Sequence, residues 1–160
     1  MSPSVKFTVD DIPESSFPPL PEDEVFTFEV TAGEVKRSGK GPYANLKLTV
    51  VDHPAYSNRI VWEILALPDE VIFEAMISHP IESEKRKLAD AIGSRCFRLR
   101  QALLAMGFPK GEGVELSDAG GQKQWNVDSL NGRRFQAKAK TEMYNGQAKS
   151  RIGEYLPRVS

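Results

Sequence analysis

Between Arg133 and Leu156 the chain alternates apolar and basic residues about a central Asn145-Gly146, the pattern of a β-hairpin with one basic face. Side chains on a strand point to alternate sides, so Phe135, Ala137, Ala139 and Thr141 share one face and Arg134, Gln136, Lys138 and Lys140 the other. Asn-Gly tolerates the positive φ that a two-residue hairpin turn demands. Beyond it Gln147, Lys149 and Arg151 point one way and Ala148, Ser150 and Ile152 the other. A sheet face that displays Lys and Arg suits a phosphate backbone.

Three further strands are expected upstream. Phe26, Phe28 and Val30 alternate with Val25, Thr27, Glu29 and Thr31, and Gly33 invites a bulge in this first strand. The basic turn Lys36-Arg37-Ser38-Gly39-Lys40-Gly41-Pro42 leads into a second, with Ala44, Leu46, Leu48 and Val50 inward and Tyr43, Asn45, Lys47 and Thr49 outward. In a third, Ile60, Trp62, Ile64 and Ala66 alternate with Arg59, Val61, Glu63 and Leu65. Trp62 shares the phase of Ile60 and Ile64, which favours a core position over a stacking platform, whereas Trp125 fits either role.

From residue 84 to 107 the period changes to that of a helix: Leu88, Ile92, Cys96, Leu99, Leu103 and Met106 form one stripe, Ser83 is placed to cap the start, and Gly107 with Pro109 stops it. Lys85, Arg86, Lys87, Arg95, Arg98 and Arg100 fall on the remaining surface. Residues 110–130 show no period and are expected to form a loop, while residues 1–23, rich in Pro and acids, form an arm that Phe7, Phe17 and Leu20 are suited to pin down. The resulting order, β-β-β-α-β-β over residues 24–160, is that of a mainly β, five-stranded OB-fold barrel with one helix between strands three and four.

A formal net charge of −1 conceals segregation: residues 1–29 hold one base and seven acids, whereas residues 123–160 hold eight bases and three acids. Overall pI is therefore a poor guide to partners. The single Cys96 excludes an intrachain disulfide or a thiolate metal site. No apolar run approaches the roughly 20 residues needed to span a bilayer, and the N-terminus lacks a basic-then-apolar leader, so a cytoplasmic protein is expected. His53 and His79 each precede a proline, far apart in sequence and without metal-ligand spacing, and Glu70, Glu74, Glu82 and Glu84 read as solvated or helix-start acids. Gly33 to Gly41 departs from a phosphate loop both in spacing and in having Gly41 where Ser or Thr is required. Neither a catalytic residue nor a cofactor is expected.

The motifs Phe17-x-x-Leu20-Pro21, Val25-Phe26-Thr27-Phe28-Glu29-Val30, Ser38-Gly39-Lys40-Gly41 before Leu46-x-Leu48-x-Val50, and Asn58-Arg59-x-Val61 occur in that order. Ala105-Met106-Gly107-Phe108, Leu130-Asn131-Gly132-Arg133-Arg134-Phe135 and Ile152-Gly153-Glu154-Tyr155-Leu156-Pro157 follow. In this ordered set, which covers nearly the whole chain, the sequence resembles a family of phage-borne proteins, long catalogued as a domain of unknown function, akin to single-stranded DNA-binding proteins of OB-fold type. The resemblance implies coating of single-stranded DNA during phage replication or recombination in the bacterial cytoplasm. The chain departs from bacterial single-stranded DNA-binding proteins by ending Leu156-Pro157-Arg158-Val159-Ser160 rather than in an acidic tip.

The expected contacts to single-stranded DNA are Lys36, Arg37, Lys40, Tyr43, Lys47, Lys138, Lys140, Tyr144, Lys149 and Arg151. Cations would neutralise phosphates, and Tyr43 and Tyr144 would stack on bases at roughly 1 to 3 kcal/mol each. Replication or recombination proteins, and further copies of the chain, are the protein partners this role admits. The alternative is an interaction module of the same machinery, whose basic sheet face docks an acidic partner.

Overall fold

In the computed structural model, which describes residues 18–109 and 111–157, the elements run β1 (Val25–Ser38), β2 (Gly41–Val51), β3 (Ile60–Ala66), α1 (Glu70–Ser78), α2 (Glu82–Arg95), α3 (Phe97–Ala105), β4 (Glu115–Ala119), β5 (Gln122–Asn126), β6 (Arg134–Tyr144) and β7 (Gln147–Tyr155). The molecule is mainly β. Among the described residues five strands make one antiparallel sheet in the order β3-β2-β1-β6-β7, and β4 and β5 make a separate two-stranded sheet.

Alternation decides the sheet's faces. Phe26, Phe28 and Val30 of β1, Ala44, Leu46, Leu48 and Val50 of β2, Phe135, Ala137 and Ala139 of β6, and Ile152 and Tyr155 of β7 all point into one core. Each large apolar side chain buried there contributes roughly 1.5 to 3 kcal/mol against exposure. Leu99, Ala102 and Ala105 of α3, with Met106, cover this core from beside β3, β6 and β7.

The register of β1 against β2 shifts between Val30 and Ala32. On the other side of this bulge Val30 exchanges backbone hydrogen bonds with the turn before β6, its N–H donating to the Arg133 carbonyl at 2.9 Å and its carbonyl accepting from Gly132 at 2.8 Å. The bulge expected at Gly33 falls instead at Thr31; Gly33 pairs in register with Leu46, and a Cβ on it would lie 2.8 Å from Leu46 Cδ2, so this glycine serves a close approach of backbone to side chain. Asn145 and Gly146, with φ of 51° and 78°, make the turn between β6 and β7 as their sequence requires.

The edge strands β3 and β7 meet through side chains. Arg151 Nη1 donates to the Trp62 carbonyl at 3.0 Å. Beneath it Glu63, only 6% exposed, accepts from Arg98 at 2.6 Å and from the Tyr155 hydroxyl at 2.8 Å. Arg98 donates also to the Ile152 carbonyl at 3.1 Å, so one guanidinium ties α3 to both edges.

Several expectations are corrected. The phase of β3 is inverted: Val61, Glu63 and Leu65 are buried, and Ile60, Trp62 and Ile64 stand outward. Pairing with β2 sets this, because Leu48, Leu46 and Ala44 oppose Val61, Glu63 and Leu65 and all must share the inner face. The single helix over 84–107 is two helices broken at Cys96, preceded by α1, which is capped by Asp69 accepting from Val71 and Ile72 at 3.0 and 3.1 Å. Ile81, not Ser83, occupies the position before α2. The break accompanies the use of two cations inside the fold. Arg95 donates to the Leu67 and Pro42 carbonyls on one side and Arg98 reaches Glu63 on the other, so neither belongs to a solvated helix surface. The loop expected at 110–130 contains the β4–β5 hairpin and a 3-10 turn at Asp128–Leu130; Trp125 of β5 is buried, donating to the Pro68 carbonyl at 2.7 Å with its ring edge-on to Phe73.

Of the arm, Phe7 and Phe17 lie outside the described residues. Pro18 to Glu22 form a strap held at three points: the Pro18 carbonyl accepts from Arg59 at 2.6 Å, the Leu20 N–H donates to Ser150 Oγ at 2.9 Å, and the Thr141 N–H donates to the Glu22 carboxylate at 2.7 Å. Leu20 is fully buried. His53 is a turn residue, its Nδ1 accepting from the Ala55 and Tyr56 N–H groups, each at 3.0 Å, and its Nε2 against Glu24. Among the described residues no helix is long and apolar enough to cross a membrane.

Candidate nucleic-acid interface

Directly opposed residues of an antiparallel sheet share a face, which fixes what the outer side of β2 and β3 displays. Thr49 opposes Ile60, Lys47 opposes Trp62, Asn45 opposes Ile64 and Tyr43 opposes Ala66. Ile60, Trp62 and Ile64 are 49%, 47% and 53% exposed, a row of large apolar side chains set against water. Indole and aliphatic surface left outward beside lysine and asparagine is expensive unless something covers it.

This row is the floor of an open groove of about 820 Å³. Ala148 to Arg151 of β7 form one wall, Ser57, Asn58 and Arg59 form one end, and Pro19 of the strap lies against it. The groove thus combines an exposed indole, flanking aliphatic surface and guanidinium and ammonium groups. Tyr144, at the hairpin tip and 59% exposed, has Lys149 Nζ 5.0 Å from its ring centroid.

The expected contacts divide accordingly. Lys149 and Arg151 line the groove. Tyr43 and Lys47 continue its floor along β2, and Lys36, opposite Tyr43, lies at the β1–β2 hairpin with the exposed Lys40. Lys36 pairs with Glu34 at 3.0 Å, a hydrogen bond and charge that raise its pKa. Lys140 opposes Arg151 on the hairpin and pairs with Glu142 at 3.0 Å.

Two expected contacts belong elsewhere. Arg37 Nη2 donates to both carboxylate oxygens of Glu70 of α1, at 2.6 and 2.7 Å, a charge-assisted contact that spends this end of the guanidinium on holding a helix to the sheet. Lys138 lies in register with Val25 and Glu154 and does not line the groove.

Trp62, Ile60, Ile64 and Arg59 are among the groove residues absent from the expected contacts. The available signal was that β3 is apolar in both phases, with Val61 and Leu65 competing against Ile60, Trp62 and Ile64. A strand at one edge of a sheet that is apolar on both faces needs cover on both.

Among the described residues no group of three or more His, Cys, Asp or Glu side chains is placed to hold a metal ion. No model of a known family matches the sequence, and no curated protein is similar to it.

Proposed function

We propose that the chain is a non-catalytic protein that binds single-stranded DNA without sequence preference, in an open OB-type barrel. The observation that carries this is Trp62, exposed between Ile60 and Ile64 on the floor of a groove walled by Lys149 and Arg151. Binding a single strand without reading it requires aromatic faces for the bases and cations tracking the phosphates, and the groove offers both.

The topology supports the OB reading. In that fold oligonucleotides cross the outer face of strands two and three, between the loop joining strands one and two and the loop joining strands four and five. Here the corresponding parts are β2 and β3, the turn at Ser38–Gly41 and the turn at Asn145-Gly146, and β7 is drawn to β3 by Arg151 and by the Glu63 cluster. Following the sequence resemblance, the strand is one exposed in phage DNA replication or recombination.

With about five phosphates neutralised by the cations of the groove and its two hairpins, log affinity falls against log salt with a slope of roughly −3.5. Titrating a labelled oligonucleotide of about 16 residues, single-stranded and as duplex, at several salt concentrations tests this. Salt-dependent binding with preference for the single strand supports the proposal, and absence of binding at low salt refutes it. The exposed Ile60 and Ile64 also favour a second reading, an acidic and apolar protein partner; charge reversal at Lys149 leaves any oligonucleotide binding untouched if that reading is right.

A further inference from the structure

Beside the groove, under the β3–β7 seam, lies a second depression of about 300 Å³ lined by Arg98, Lys140, Arg151 and Glu142, with Ile64 and Arg151 common to it and to the groove. Three cations from three elements converge here. Arg98 comes from α3, Lys140 from β6 and Arg151 from β7. Glu63 at its base is occupied by Arg98 and Tyr155, which leaves Glu142 as the carboxylate facing the hairpin's cations.

Glu142 is placed to meet three of the hairpin's cations. It opposes Lys149 in the β6–β7 register, lies 3.0 Å from Lys140 Nζ, and lies 3.7 Å from Arg151 Nε. The hydrogen bond to Lys140 foremost, with the charges of Lys140, Arg151 and Arg98 assisting against slight burial, holds its carboxyl below the ordinary value of 4.5. It is therefore an anion at neutral pH.

Resting on the single-strand reading of the groove, we infer that this niche is a backbone-phosphate site in which the Glu142 carboxylate is an internal substitute for the phosphate. A strand whose bases lie over Trp62 runs past Arg151, and a phosphate reaching Lys140 and Arg151 takes over the partners of Glu142. The glutamate lowers affinity by competing, and weakens salt dependence because two cations are already neutralised before DNA arrives. It also keeps Lys140, Lys149 and Arg151, crowded on one hairpin face, from repelling one another when DNA is absent.

The test is Glu142→Gln against Glu154→Gln, which removes a carboxylate from the same sheet face opposite Lys138, outside the niche. Glu142 is half exposed, so the variant folds, and thermal unfolding verifies it. Using labelled oligo-dT of about 16 residues, Glu142→Gln binds about fivefold more tightly at low salt. Its salt slope steepens by about 0.7, one further phosphate, and adding Lys140→Met abolishes the gain. Equal tightening by both single variants shows only a general charge effect and overturns the inference, as does unchanged or weaker binding by Glu142→Gln; either result leaves the single-strand reading standing. If neither the natural chain nor the variants bind, both readings fall.

Discussion

At Glu63 a carboxylate in the core accepts hydrogen bonds from Arg98 at 2.6 Å and from Tyr155 at 2.8 Å. Removing one member of a buried pair leaves the other uncompensated, at roughly 3 to 5 kcal/mol. Because Arg98 is 34% exposed, Glu63→Leu belongs at the lower end, about 3 kcal/mol by urea unfolding. Burial, and then the charge and hydrogen bond of Glu63, raise the Tyr155 pKa well above the ordinary 10.0. A folded pKa above the unfolded one gives stability that is complete below pH 10.0 and is lost as pH climbs toward the folded value. The urea midpoint therefore holds up to about pH 10 and drops above it, and Tyr155→Phe flattens that alkaline fall. Trp62, the next residue back along the strand, behaves oppositely. Its side chain supports no core, so Trp62→Ala changes stability by less than about 0.5 kcal/mol while weakening oligonucleotide binding by about 1 to 3 kcal/mol.

Elements were legible in proportion to how one-sided their apolar pattern is. β1, β2 and the β6–β7 hairpin each bury one phase and expose the other, and the hairpin's turn states its own geometry. Gly146 at φ 78° makes that concrete: Gly146→Ala forces a Cβ into the left-handed region, destabilising by about 1 kcal/mol by thermal unfolding and loosening the wall that carries Lys149. β3 misled because both phases are apolar, and only the partner strand chooses between them. α1 was invisible for a related reason: Val71, Ile72 and Ile77 are exposed while Phe73 packs against the core, so its apolar residues do not fall on one inward stripe. The stripe over 84–107 matches the buried Cys96, Leu99 and Met106, but the break at Cys96 accompanies contacts of Arg95 and Arg98 with distant carbonyls and with Glu63, which periodicity does not encode. The same limit applies to Arg37, whose partner Glu70 lies 33 residues away.

For the molecule as a whole, the strap decides how the groove's two sides stand. Pro18 to Glu22 bind Arg59 just before β3 and Ser150 and Thr141 on the hairpin, with Leu20 sunk in the core between. Leu20→Ala costs about 2 to 5 kcal/mol of stability, and its loss also frees the hairpin, so oligonucleotide affinity falls further than the unfolded fraction accounts for. Of the expected contacts, Lys149 and Arg151 line the groove because charge alternation along the hairpin survives folding. The apolar floor was not legible, because it resembles core until pairing with β2 puts the opposite phase of β3 inward. The most direct test uses the contrast between the chain's two tryptophans, Trp62 being 47% exposed in the groove and Trp125 buried at 6%. Adding unlabelled oligo-dT should quench the intrinsic tryptophan emission saturably, and Trp62→Phe, which keeps a ring for stacking, should remove the quenching while retaining most of the affinity. Binding with no change in emission, or quenching that persists in Trp62→Phe, would contradict the account.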